Sequence, residues 1–172
     1  SGNWVEQAKL LASDAAGGDY FGKSVAIDGD YAVIGAYKKS VVYIFKKEDD
    51  DEWVQQARLT PNDVGYEHFG SSVDIDGNYS IMGANYYGSG NSGSAYIFKR
   101  DDGGNWVEQA KLLASDTGAG DYFGSSVSIS GDYAVIGAYR NNDTGYRSGS
   151  AYIFRRDDGG GWSQQAKLLA SD

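Results

Sequence analysis

The sequence contains no cysteine, one proline and one histidine among 172 residues. Without cysteine there can be no disulfide framework and no thiolate metal site. One proline leaves the backbone donors of long strands intact. No apolar run approaches the ~18 residues that a membrane-spanning helix needs, and the opening residues show no signal-peptide pattern, as expected where a leader is removed or left out. Basic residues are also few: 15 Lys and Arg against 24 Asp and Glu give a net charge of −9. The basic pairs that exist, Lys46-Lys47, Lys99-Arg100 and Arg155-Arg156, are followed by acids. A nucleic-acid partner, which wants clustered positive charge, is not expected.

Glycine, by contrast, occurs 25 times, tyrosine 14 times and tryptophan four times. That profile fits many tight turns joining aromatic-rich strands. The tryptophans mark a period. Trp4, Trp53, Trp106 and Trp162 are spaced 49, 53 and 56 residues apart, and each opens a segment like Trp-Val-Glu-Gln-Ala-Lys-Leu. In the first such segment Trp4, Ala8 and Leu10 share one face while Val5, Gln7 and Lys9 share the other, the alternation of a half-exposed strand. This outer strand is expected over residues 4–11, with copies ending three further repeats.

Three four-stranded repeats follow, over residues 21–60, 69–113 and 123–169. Each starts with Phe-Gly, at Phe21-Gly22, Phe69-Gly70 and Phe123-Gly124. Along the first inner strand Phe21, Lys23, Val25 and Ile27 alternate with Gly22, Ser24 and Ala26. The second set is small, as expected where neighbouring sheets crowd together. Asp28-Gly29, Asp76-Gly77 and Ser130-Gly131 read as two-residue hairpins. The second strand, Tyr31-Ala32-Val33-Ile34-Gly35-Ala36, is apolar on both faces and should be buried on both. A third strand ends in Tyr43-Ile44-Phe45 or its equivalents, and an acidic, glycine-rich turn leads back to tryptophan. No segment reads as a helix. A four-stranded antiparallel sheet repeated about every 50 residues is the pattern of a β-propeller blade, so the fold class is all-β. Aligning Trp4–Tyr37 with Trp106–Tyr139 needs no gap and leaves six differences, the mark of duplication or design.

The recurrent Phe-Gly pairs, with Gly-Ala at 35, 83 and 137, resemble the FG-GAP repeat family, whose repeats form the blades of integrin α-subunit propellers and of many bacterial surface proteins. The order Trp, Gln-Ala-Lys-Leu, Asp-Tyr-Phe-Gly, Ser-Val, Gly-Asp-Tyr-Ala is most similar to the bacterial branch. The resemblance covers essentially the whole chain and implies a propeller module, extracellular or at a cell surface. Two departures stand out. Tyr37, Asn85 and Tyr139 replace the family's proline after Gly-Ala, and a two-residue hairpin replaces its calcium loop. So short a turn cannot wrap the six to eight oxygens that calcium prefers, so the family's calcium site is not carried over and no cofactor is expected.

Propellers close with roughly four to eight blades, so three blades leave an apolar sheet face bare at each end. Two chains joined as halves of a six-bladed ring would cover both faces, as would a longer array or head-to-tail addition. The surplus tryptophan segment, with Trp4, Val5, Ala8 and Leu10, is the expected assembly strand.

Candidate sites are fewer. A carboxylate pair precedes each Phe-Gly: Asp14 with Asp19, Asp63 with Glu67, Asp116 with Asp121. Hard cations favour such oxygens, and calcium is the ion they would take. Threefold repetition points instead to carboxylates that hold turns by accepting backbone N–H groups. Asp74 is out of place among small residues and needs a partner or channel water. His68, which replaces Tyr20 and Tyr122, has no nucleophile pattern beside it. The loops after Gly-Ala differ most and carry Tyr86, Tyr87, Asn91, Tyr139, Arg140, Asn142, Tyr146 and Arg147, a set suited to a protein surface or a sugar. No catalytic constellation is legible, so a non-enzymatic module working through protein contacts or self-assembly is expected, with carbohydrate binding through the Tyr-rich loops as the alternative.

Overall fold

The computed structural model of the protein describes residues 3–63, 68–86, 90–116 and 118–170. They hold twelve strands and, among the described residues, no helix. The first sheet comprises β1 (Phe21–Asp28), β2 (Tyr31–Ala36), β3 (Val41–Lys47) and β4 (Trp53–Leu59). The second comprises β5 (Phe69–Asp76), β6 (Tyr79–Ala84), β7 (Ser94–Arg100) and β8 (Trp106–Leu112). The third comprises β9 (Phe123–Ser130), β10 (Tyr133–Ala138), β11 (Ser150–Arg156) and β12 (Trp162–Leu168). Each is an antiparallel meander in chain order. The sheets pack face to face as successive blades, with β1, β5 and β9 side by side.

Two apolar cores lie between blades. The first joins Val33, Val42 and Ile44 of blade one to Val73, Ile75 and Met82 of blade two. The second joins Ile81, Ala95 and Ile97 of blade two to Ile129, Ile136 and Phe154 of blade three. Strands β2 and β6 are buried on both faces, as their unbroken apolar runs require. The matching β10 alternates between buried and exposed, because among the described residues no further blade packs on its outer face.

The Phe-Gly and Gly-Ala motifs meet at each junction. After Phe69 the register slips, so that Phe69 opposes Ala84 while Ser72 opposes Gly83. The bulge places Gly70 at φ +82°, a conformation that favours glycine, and its carbonyl turns toward blade one. There it accepts a 2.7 Å hydrogen bond from Ser24 Oγ. It lies 2.1 Å from the point a Cβ on Gly35 would occupy. Ser72 Oγ, Gly124 and Gly83 repeat the arrangement at the next junction, with 2.8 Å for the hydrogen bond and 1.9 Å for the approach. The small residues of the inner strand therefore serve close backbone contact.

The hairpins differ by one position from the sequence expectation. Asp28 pairs with Tyr31, so the central turn residues are Gly29 and Asp30 rather than Asp28 and Gly29. The shift frees the Asp28 carboxylate to accept the Gly77 N–H of the next blade at 2.7 Å, and Asp76 does the same for Gly131 at 2.5 Å. Asp74 also finds its partner across a junction: Ser128 Oγ and the Ile129 N–H each donate to it at 2.8 Å.

The outer strand expected at 4–11 is not a strand here. Residues 3–12 join no ladder, because a fourth strand needs the third strand of its own sheet to pair with. Trp4 and Val5 stand exposed, as does Ala8. Leu10 and Ala12 nonetheless pack on the blade-one core of Ile34, Tyr43 and Phe45, and Leu112 and Ala114 lie in the corresponding core of blade three.

Candidate functional site

The carboxylates before each Phe-Gly are engaged by their own blade. Tyr43 OH donates to Asp14 at 2.6 Å, Tyr96 OH to Asp63 at 2.8 Å and Tyr152 OH to Asp116 at 2.9 Å. A cation closes each clamp: Lys39 and Arg58 on Asp14, Lys111 on Asp63 and Lys167 on Asp116. The Tyr43 hydrogen bond, helped by Lys39 and Arg58, holds the Asp14 carboxyl down at about 2. For Asp116 burial works the other way, but Lys167 and Tyr152 outweigh it and the carboxyl stays low. Burial, together with Asp116, pushes the Tyr152 phenol up to about 12. Asp19 accepts Lys39 at 3.0 Å and the Ala16 N–H at 2.9 Å, while Asp121 accepts the Gly118 N–H at 3.0 Å and Asn141 Nδ2 at 3.1 Å. Glu67 lies outside the described residues. These contacts tie each loop to the blade it leads into, through a backbone N–H at Asp19 and Asp121 but through tyrosine hydroxyls and cations at Asp14, Asp63 and Asp116.

A different feature spans all three blades. Tyr20, Tyr37, His68, Tyr86, Tyr122 and Tyr139 form a chain of rings, with successive centroids 5.5, 4.9, 4.1, 5.1 and 5.5 Å apart. Tyr37 and Tyr139 follow the Gly-Ala pairs directly, and Tyr86 follows after Asn85. Tyr20, His68 and Tyr122 precede the Phe-Gly pairs, at φ +57°, +56° and +57°. A bulky residue in the left-handed region costs on the order of 1–3 kcal/mol, and such strain tends to persist where surrounding contacts fix it. Here the turned backbone sends each ring into the row between its neighbours.

The row borders a cavity of about 600 Å³ at the end of the molecule where the inner strands begin. Its walls include Tyr37, His68, Tyr86 and Tyr139, its polar lining Ser71, Asn85, Ser125 and Ser126, and its cations Lys23 and Lys38. Lys38 Nζ stands 3.4 Å from His68 Nε2; the lysine donates, which assigns the ring proton to Nδ1. Burial, with the Lys38 charge beside it, lowers the His68 pKa. The Arg140 guanidinium lies 4.5 Å from the Tyr122 ring centre and 5.2 Å from that of Tyr139. Asn85 Oδ1 is buried with no hydrogen-bond partner.

Of the loop residues singled out in the sequence, Tyr86, Tyr139 and Arg140 belong to this row, and Asn91 reaches it through a 3.5 Å contact with Tyr122 OH. Tyr87 lies outside the described residues. Asn142, Tyr146 and Arg147 form a separate loop tip, where Arg147 N–H donates to Asn142 and its guanidinium stacks 4.7 Å from the exposed Tyr146 ring. Sequence reasoning missed Tyr37, His68, Tyr122, Lys23 and Lys38. The signal was present, since an aromatic ring precedes every Phe-Gly, but it reads as a fold residue until the blades stack.

With three blades in register, Phe-Gly carbonyls seated on Gly-Ala glycines and every repeat built alike, the motif and the architecture can be matched to known families. A family model described as the FG-GAP repeat matches residues 4–45, 53–98 and 106–154. The chain belongs to the FG-GAP repeat family. No curated protein matches it. Among solved structures, this FG-GAP chain is similar to a putative 6-phosphogluconolactonase from Bacteroides fragilis, at TM-score 0.60 and 18% identity over 84% of this chain and 37% of that one. It is also similar to a functionally unknown protein from Desulfotomaculum acetoxidans, at TM-score 0.55 and 12% identity over 82% and 39%. A third likeness is to a Lactobacillus plantarum protein, at TM-score 0.57 and 17% identity over 86% and 42%. At these identities the likeness shows the fold alone. The chain spans about two-fifths of the length of these structures. No helix among the described residues is long and apolar enough to cross a membrane.

Proposed function

We propose that this FG-GAP chain is a non-enzymatic propeller module that works by joining a second copy through its two end faces, at a cell surface or in an extracellular structure. The observation that carries the reading is one of position. Val25 and Ile27 on β1 are each 67% exposed, whereas Val73 and Ile75, their equivalents on β5, are 9% and 6% exposed beneath blade one. At the other end Val135 is 40% exposed, while Val33 and Ile81 at the same place in the earlier blades are fully buried.

The two end faces, the first part-covered by Leu10 and Ala12, are the two halves of a junction the molecule already makes twice. Ser126 and Gly137 occupy the places from which Ser24 and Gly35 receive the Gly70 carbonyl, and Gly22 is the unseated counterpart of Gly70. Blades one and three are near copies, which supports the same mating between chains. Two copies supply six blades, within the range where rings close. One clamp is missing from such a junction, because Ser130 stands where Asp28 and Asp76 hold the next hairpin.

Light scattering after size exclusion tests the reading. A mass of twice 18.5 kDa is expected, returning to the single-chain value in Ile27→Glu and Val135→Glu, both of which alter exposed positions. A wild-type protein that stays at single-chain mass at high concentration rules the association out. Species that grow steadily with concentration support open head-to-tail addition in place of a ring.

A further inference from the structure

We propose that the aromatic row and the cavity beside it bind an acidic sugar chain, one whose rings carry carboxylate or sulfate groups. The inference does not rest on the association of two copies, since the cavity is formed within one chain.

Three observations converge on this ligand. The first is the row itself. Rings about 5 Å apart on a rigid scaffold offer stacking area at little cost in side-chain freedom, and tyrosine adds a hydroxyl at each ring edge. The exposed faces at Tyr86 and Tyr139, 41% and 52% accessible, are what a run of flat, amphipathic sugar rings would cover. The second is the polar lining. Ser71 and Ser125 each donate to a strand carbonyl and so present their oxygens as acceptors. Asn85 lines the cavity and its Oδ1 is buried with nothing to accept from; a turn of the amide toward the cavity would let it accept from a ligand hydroxyl.

The third observation is charge. In a chain of net charge −9, the described residues lining this cavity include two lysines and no carboxylate. Among the described residues the Lys23 ammonium has no ion pair or hydrogen bond, and Lys38 meets no carboxylate, only His68 and the Tyr37 ring, 5.4 Å from its centre. Elsewhere most lysines are committed, as Lys39, Lys46, Lys47, Lys111 and Lys167 are. Arg140 extends the positive edge over Tyr122 and Tyr139. A cationic, ring-lined strip favours an anionic ligand over its neutral analogue, and its exposure makes the attraction salt-dependent. An acidic peptide shares the charge but would leave the stacking faces less well covered.

Calorimetric titration of the intact chain with a galacturonate hexasaccharide, its methyl-esterified form, a sulfated galactan hexasaccharide and hexaglutamate tests the proposal. At least one acidic sugar is expected to bind about tenfold or more tightly than the ester, and to weaken as salt rises. Tyr139→Ala and Lys38→Gln should each lower that affinity by about tenfold, with unchanged circular dichroism and melting temperature. Tyr146→Ala, in the same loop as Tyr139 but outside the row, should leave binding as it is. The galacturonate and sulfated arms separate carboxylate from sulfate recognition. Failure of both acidic sugars to bind at millimolar concentration overturns the proposal. So does equal binding of the ester, binding that survives Tyr139→Ala but not Tyr146→Ala, or hexaglutamate binding as tightly as the sugars.

Discussion

At the scale of the residue, the conspicuous glycines differ in what they do. Gly35 and Gly83 have ordinary φ values and no turn to make. They are glycine because the Gly70 and Gly124 carbonyls sit where a Cβ would be, at 2.1 and 1.9 Å. A backbone oxygen cannot rotate aside, so Gly83→Ala must separate two blades. It is expected to destabilise the chain by about 3 kcal/mol or more, at the upper end of overpacking costs. Within one chain a Cβ on Gly137 meets only the Ser126 and Ser125 side chains, which can turn away, so Gly137→Ala should cost the single chain about 1 kcal/mol or less. Chemical denaturation of the two variants checks the contrast. The sequence shows that the position is always glycine, but the reason lies some 35–41 residues further along the chain. Asp74 teaches the same lesson: an odd carboxylate by its own repeat, it is satisfied by Ser128 and Ile129 of the next.

At the scale of the element, the tryptophan strand has one sequence and two fates. Trp106 on β8 is 8% exposed, packs edge-on to Tyr31 at 6.1 Å and donates its Nε1–H to Gln56 across the junction. Trp162 repeats the bond to Gln109. The β3–β4 register slips between Ile44 and Phe45, and this bulge leaves Gln56 free of a cross-strand partner. Trp4 sits in the same heptapeptide yet is fully exposed. Trp106→Ala is therefore expected to cost about 3–5 kcal/mol, and Trp4→Ala to stay within about 0.5 kcal/mol, as melting curves would record. Alternation identifies which face of this segment is apolar, and the burial of β4 follows it. Whether a ladder forms depends on the neighbouring strand, which the segment itself does not encode. Loops fared likewise: variability drew attention to Tyr139 and Tyr146 together, and only the blade geometry separates them.

For the whole molecule, each blade carries a tyrosine-carboxylate-lysine clamp between its leading loop and its outer strands, and acid should act on the first and the third together. Asp14, Asp19 and Asp116 have folded-state pKa values below the ordinary 3.8. Their contribution is complete above that value and is lost as pH falls toward about 2, where Asp14 titrates. His68 acts earlier and with a distinct signature. Its folded pKa is below 6.5, so the native state resists protonation and stability declines as pH drops beneath that value. Melting temperature should thus fall in two stages on acidification, and His68→Tyr, the residue at both matching positions, should remove the first. Every ladder among the described residues joins strands adjacent in sequence, and the hydrogen bonds between blades link residues 30 to 69 positions apart. For an all-β chain these are short loops to close, and short closures speed folding. Each hairpin closes locally, and the middle blade, flanked on both faces, is expected to be the most protected from hydrogen exchange, with protection falling off toward the outer repeats.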